Sequence, residues 1–274
     1  MVFNNQHRIH RVFRTYGMKF NCAVVQEYFH RVKIYLVKLR FFHEHENALM
    51  PQFLLPLRLK KLNYHMIYNK DIAFKTAELL LKIKAVKLNP KELFTWASGI
   101  KSPIYCDNRI TLSYPEIRTF IRQHFVRAIE EGNFEPEAIS GVATGGIAQG
   151  ALVAQELGLP FSYVRPGKKE HGLANQIEGE VRDGQRIVVV EDLISTGGSS
   201  LGAVQTLRDA GCNIKGMLAI FTYNLPKAEK AFKEADCALI TLTDYDHLIQ
   251  KALEIGYITE EDVKVLQDFK KNLN

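Results

Sequence analysis

From about residue 66 onward, short apolar runs alternate with longer segments whose apolar positions recur every third or fourth residue. This is the pattern of strands alternating with helices. Strand-like runs fall at 138–143, 161–164, 187–190, 217–221 and 238–242, each rich in Val, Ile, Leu or Phe. The run "RIVVV" shows no polar alternation, which predicts a strand covered on both faces, as in a parallel sheet between helices. Helical spacing marks 71–86, with Asp71 as its cap, and 114–131, with Pro115 at its start. "IAQGALVAQELG" closes on Gly158 and Pro160, and "SSLGAVQTLRDAG" closes on Gly211. The expected fold is a doubly wound α/β domain: a mostly parallel sheet flanked by helices, with ligands at the carboxyl ends of the strands. There is no internal repeat and no low-complexity tract.

The N-terminal quarter reads differently. Residues 1–65 hold eleven Lys/Arg against three Asp/Glu, whereas the remaining 209 hold 25 against 27, so the formal net charge of +6 belongs to the start of the chain. The same stretch has six of the nine His, one Gly (Gly17), no Ser and no Asp, and so is short of several residues that make turns and helix caps. Arg8, Arg11, Arg14 and Lys19 interrupt any signal-peptide core, and "IYLVKLRFF" at 34–42 is too short and too charged to span a bilayer. We therefore divide the chain into an atypical basic extension, 1–65, and a folded domain, 66–274, with Met66 as the expected true start. A nucleic-acid-binding arm is the sharper alternative, but no aligned basic face supports it. Cys22, Cys106, Cys212 and Cys237 form no metal or dithiol spacing, which fits a reducing cytoplasm.

One stretch carries most of the chemistry. In "VVVEDLISTGGSS", 188–200, an apolar strand ends in Glu191 and Asp192, and a loop of hydroxyls and glycines then opens a helix. Main-chain N–H groups and hydroxyls converging at a helix N-terminus suit a monophosphate. No Gly-Lys-Ser/Thr follows, so this is not a nucleoside triphosphate loop. The acidic pair suits the vicinal hydroxyls of a ribose, or a magnesium ion held between sugar and diphosphate. "SGVATGGIAQG", 140–150, is a second glycine-rich strand-to-helix turn, but its spacing is wrong for a dinucleotide fingerprint.

"VVVEDLISTGGSS" resembles the phosphoribosyl-diphosphate signature of the type I phosphoribosyltransferases. Three further stretches resemble the orotate branch of that family: "FTWASGIKSPIYCDNR" (94–109) its base-recognition segment, "YVRPGKKEHGLANQIEG" (163–179) its mobile catalytic loop, and "FTYNLPKAEKAF" (221–232) a later segment. The resemblance covers roughly residues 70–274. It implies the type I fold with a small N-terminal hood and transfer of a 5-phosphoribosyl group from phosphoribosyl diphosphate to orotate, with Mg2+. It further implies a cytoplasmic homodimer whose mobile loop is shared across subunits, with neither membrane nor nucleic acid as partner.

Carried over residue by residue, Glu191 and Asp192 meet the ribose hydroxyls, and Ser195, Thr196, Gly197, Gly198 and Ser199 take the 5′-phosphate, with Leu193 and Ile194 completing that substrate-binding stretch. Arg165, Lys169 and His171 take the pyrophosphate; Lys169, His171 and Asp192 are the residues expected to act in catalysis. Ala143 to Gly146 let the backbone approach the pyrophosphate. No protein-only metal site is expected. Within the orotate branch Ser195 also contacts the base, and the backbone around Ser98, Gly99 and Ser102 meets its carboxylate and ring carbonyls. Arg109 either neutralises that carboxylate or is an ordinary ion-pair partner. Three positions depart from many relatives: Gly145 and Ala97 stand where lysines are common, and Tyr223 where an arginine is. Two other readings stay open at this level, a phosphoribosyl-diphosphate-binding regulator with a basic nucleic-acid arm, and a transferase for another base.

Overall fold

The computed structural model describes residues 65–96, 99–167 and 176–273. Its centre is a seven-stranded sheet in the order β1-β11-β10-β9-β6-β7-β8. The strands are β1 (His65–Ile67), β6 (Ala138–Val142), β7 (Phe161–Val164), β8 (Ile177–Glu178), β9 (Arg186–Ile194), β10 (Asn213–Thr222) and β11 (Leu239–Asp244). All neighbours run parallel except β7 and β8. The helices are α1 (Lys70–Lys82), α2 (Pro115–Glu131), α3 (Gly145–Leu157), α4 (Gly198–Asp209), α5 (Pro226–Glu234), α6 (Tyr245–Glu254) and α7 (Glu260–Asn272). The expected doubly wound, mostly parallel architecture is therefore present.

The unalternating valine run is explained by what lies on either side of it. Val188 and Val190 join one apolar core with residues of α1, α2, α3 and α6, while Ile187 and Val189 join another with residues of α4 and α5. All four are fully buried. A strand with helices on both faces has no wet side, so the period of two vanishes from its sequence.

Several boundaries differ from the pattern. Asn69, not Asp71, caps α1: its side chain accepts from Asp71 N at 2.9 Å and Ile72 N at 3.1 Å. Asp71 lies in the first turn, where its charge complements the helix dipole. The helix stops at Lys82 rather than 86, because Lys84 turns the chain at φ 58°. Met66 lies inside β1, whose described residues pair with β11 from His65 onward. The strand expected at 187–190 runs on to Ile194, with its ladder to β10 continuing through Thr222↔Ile194.

Residues 86–106 form the hood as two small antiparallel ribbons. One pairs β2 (Val86–Leu88) with β5 (Ile104–Cys106), the other β3 (Phe94–Thr95) with β4 (Lys101–Ser102). Trp96 pins this region. Its indole N–H donates to Ile104 O at 3.0 Å, and its ring meets Phe269 of α7 edge-on at 5.9 Å. Among the described residues no helix is long and apolar enough to cross a membrane.

Candidate active site

The chain leaves the sheet's middle in two directions, from β6 outward to β7 and from β9 outward to β10 and β11. The gap between β6 and β9 is thus the topological switch point, where an open α/β sheet leaves a crevice at its strand ends. Both glycine-rich stretches empty into it: 143–146 after β6 and 191–199 at the end of β9.

The acidic pair sits deeper than its sequence suggested. Pairing of β6 with β9 ends at Gly141↔Val190, so Glu191 to Ile194 extend past β6 with β10 on one edge alone. Glu191 is buried, accepting from Ser200 Oγ at 3.0 Å and from Asp192 N at 2.9 Å. Burial, and secondarily its hydrogen bond with the Asp192 carboxyl, pushes the Glu191 carboxyl up to about 9. Asp192 is partly exposed, and its main-chain oxygen accepts from Asn108 Nδ2 at 2.7 Å.

Beyond the acids, Ile194 points into the core and Leu193 is half-buried, so main chain rather than the Ile194 side chain faces any ligand there. Ser195, Thr196, Gly198 and Ser199 are exposed. Gly197 turns the chain at φ 83°, and a Cβ there would come within 2.9 Å of the Phe232 ring, so both conformation and room call for glycine. Helix α4 starts without a side-chain cap, and its first helical bond is Leu201 N to Gly197 O at 2.9 Å. The N–H groups of Gly198, Ser199 and Ser200 thus have no helical acceptor and mark an anion site.

The second turn is lined by backbone. A Cβ at Gly145 would overlap the Asp192 carboxylate, and one at Gly146 would overlap the Val190 carbonyl. Glycine at both positions lets α3 approach β9 and lets Asp192 fold across the turn. Ala143 N, bonded to Val164 O at 2.9 Å, ties the turn to β7.

Other sequence-derived candidates divide. Arg165 follows β7, its N–H bonds Gln176 O at 2.8 Å, and its guanidinium pairs with Glu178 at 2.9 Å. The antiparallel β7–β8 ribbon therefore forms the base of the loop that carries Lys169 and His171. Those two residues lie outside the described residues, as do Ala97 and Ser98.

Ser102 is fully buried, and its hydroxyl is used internally, donating to Ile104 O at 2.7 Å. Arg109 makes a forked pair with Asp107, at 2.7 and 2.9 Å, which holds the Asp107 carboxyl below its usual range; the ion-pair reading fits it. Tyr223 is buried among Trp96, Phe221 and Tyr245 at ring separations of 5.6, 5.3 and 6.1 Å, a core position. Two residues inside the quoted stretches touch the acids without having been given that role, Asn108 and Ser200. Asn108 lies 84 residues from Asp192, so no local pattern joins them.

Comparison with known proteins agrees with this geometry. The phosphoribosyl transferase domain family matches residues 111–247. Orotate phosphoribosyltransferase of Phocaeicola vulgatus is 59% identical over 196 residues, covering 72% of this chain and 92% of its own. The chain belongs to the orotate phosphoribosyltransferase family. The enzyme of that name from Streptococcus pneumoniae is 55% identical over 76% of this chain and 97% of its own. Among solved structures, orotate phosphoribosyltransferase from Aeropyrum pernix superposes with a TM-score of 0.59 at 27% identity, over 67% of this chain and 99% of that one. Membership of the family makes the chain an enzyme, a transferase of the pentosyl class.

Proposed function

We propose that the protein transfers the 5-phosphoribosyl group of phosphoribosyl diphosphate to orotate, giving orotidine 5′-monophosphate and pyrophosphate. One observation carries the reading: the switch point brings together an acidic pair, an uncapped helix N-terminus behind a hydroxyl loop, and a backbone-lined turn. These suit the ribose, the 5′-phosphate and the diphosphate of a single molecule.

In this reading the N–H groups at the start of α4 and the hydroxyls of Ser195, Thr196 and Ser199 bind the 5′-phosphate. Glu191 and Asp192 orient the ribose hydroxyls and hold C1 towards the base. A ring nitrogen of orotate attacks C1 as the C1–O bond to diphosphate breaks, the electron pair leaves with pyrophosphate, and the proton of that ring nitrogen passes to pyrophosphate or solvent. Lys169 and His171 meet that departing charge, with Arg165 beside them at the base of their loop. Donors aimed at charge that grows in the transition state supply the largest share of such rate accelerations.

The donor set also fits magnesium, within limits. Among the described residues no group of three or more His, Cys, Asp and Glu could hold a metal by itself. Two adjacent carboxyls suit an ion that keeps most of its shell from substrate oxygens and water, and such an ion would neutralise diphosphate charge. The cytoplasmic, homodimeric state with a loop shared between subunits is part of the same proposal and rests on the family resemblance.

Asp192→Asn tests the reading. It should raise the KM for phosphoribosyl diphosphate and lower kcat/KM by about tenfold or more, with the melting temperature little changed, because a carboxylate at a strand end serves ligand rather than core. Unchanged kinetics in a folded variant would remove the assignment, and a screen of other bases decides selectivity.

The basic N-terminal stretch is proposed to be dispensable. A chain starting at Lys61 is expected to keep full activity and the same melting temperature. One starting at Met66 loses His65, whose Nε2 lies 2.9 Å from Thr241 Oγ1, and should melt about 2–4 °C lower. Loss of activity in the Lys61 chain would make residues 1–60 part of the working protein.

A further inference from the structure

We propose that Asn108 is a positioning residue for the phosphoribosyl diphosphate site, standing in for the strand that β9 lacks at Asp192. The inference rests on the function proposed above and adds to it a residue outside the signature loop.

The argument begins with the backbone of Asp192. A residue inside a parallel sheet ordinarily has its N–H and C=O satisfied by neighbouring strands. At Asp192 both are satisfied by side chains. The N–H bonds Glu191 Oε1 at 2.9 Å, and the C=O accepts from Asn108 Nδ2 at 2.7 Å, across 84 residues of sequence. The reason is the early end of β6, whose last pair with β9 is Gly141↔Val190. Without Asn108 the Asp192 carbonyl would lose this partner, with no strand on the β6 side to replace it.

Asn108 is itself held. It is 1% exposed, its Oδ1 accepts from Cys106 Sγ at 3.4 Å, and its main-chain oxygen accepts from Thr111 Oγ1 at 2.6 Å. A main-chain carbonyl can only accept, so the nitrogen of the carboxamide must face Asp192. The 3-10 helix that begins at Asn108 follows directly on β5, the last strand of the hood. One side chain therefore joins the segment resembling a base-recognition element to the acid that faces the ribose. Supporting residues of this kind set the geometry of the groups that touch substrate without touching it themselves.

The test uses the full chain with Asn108→Asp and Asn108→Ala. The acid is isosteric but turns an acceptor towards an acceptor, whereas alanine removes the group. Asn108→Asp should raise the KM for phosphoribosyl diphosphate about tenfold or more, and Asn108→Ala by less, with the orotate KM within about twofold. The decisive readout is a double-mutant cycle on kcat/KM for phosphoribosyl diphosphate. If Asn108 acts through Asp192, its replacement should cost several-fold less in an Asp192→Asn background than in the wild type.

Additive losses, or lower melting temperatures with an unchanged KM for phosphoribosyl diphosphate, would overturn the proposal. Failure of both variants to fold would also overturn it and make Asn108 a structural residue. The wild-type rate with orotate and phosphoribosyl diphosphate tests the function itself, so its failure is distinct from a failure confined to the Asn108 variants.

Discussion

Lys169→Ala is expected to lower kcat about a hundredfold or more at saturating phosphoribosyl diphosphate, while the KM for orotate stays within about twofold. The charge that this ammonium meets is small in the bound substrate and grows as the C1–O bond breaks, so the loss falls on turnover. Arg165 is a poor substitute, since its guanidinium is already paired with Glu178 at 2.9 Å. Steady-state kinetics with orotate and phosphoribosyl diphosphate varied in turn separates the two constants. A variant turning over near the wild-type rate would shift the leaving-group role away from the loop.

Gly146→Ala should damage both stability and activity, and Gly145→Ala mainly activity. The two added methyl groups meet different kinds of atom. At Gly146 the new Cβ overlaps the Val190 carbonyl, which belongs to the central strand and cannot move without shifting α3 or β9. A melting temperature about 4–10 °C lower is expected, with at least a tenfold fall in kcat/KM for phosphoribosyl diphosphate. At Gly145 the overlap is with the Asp192 side chain, which can rotate away. That variant should melt within about 2 °C of the wild type yet use phosphoribosyl diphosphate less well. Equal melting temperatures for the two would show that α3 and β9 are less tightly apposed than described.

These contrasts show what could be read from sequence and what could not. The run Val188–Val190 announced a strand buried on both faces, and the glycines and hydroxyls of 195–199 announced an anion-binding turn, because both features are local. The length of β9 was not legible: its last four residues include Glu191 and Asp192, types that usually end a strand, and they stay in the ladder because β10 continues beside them. The cap of α1 was misplaced by two residues because Asn69 and Asp71 are both good caps and only geometry chooses between them. Tyr223 and Arg109 illustrate a third limit. The motif left Arg109 open between the base and an ion pair and gave Tyr223 only as a departure from a common arginine, while the fold pairs Arg109 with Asp107 and sets Tyr223 in an aromatic cluster. Asn108 and Ser200 lie within stretches that carried a reading, yet their bonds to Asp192 and Glu191 are set by the fold.

The edge-on contact between Trp96 and Phe269 has a consequence for biosynthesis. Trp96 leaves the ribosome early, whereas its partner lies on the last helix described, and the chain between them takes on the order of 10–30 s to synthesise. During that interval the hood can pair its own short strands but lacks the Phe269 side of the packing around its indole. The nascent chain can therefore complete β6, β9 and α4, which carry the proposed phosphate-binding turns, before the proposed base-binding hood is braced from α7. Ribosome-stalled chains ending before α7 should bind phosphoribosyl diphosphate ahead of orotate, so that the order in which the two halves mature follows the order of translation.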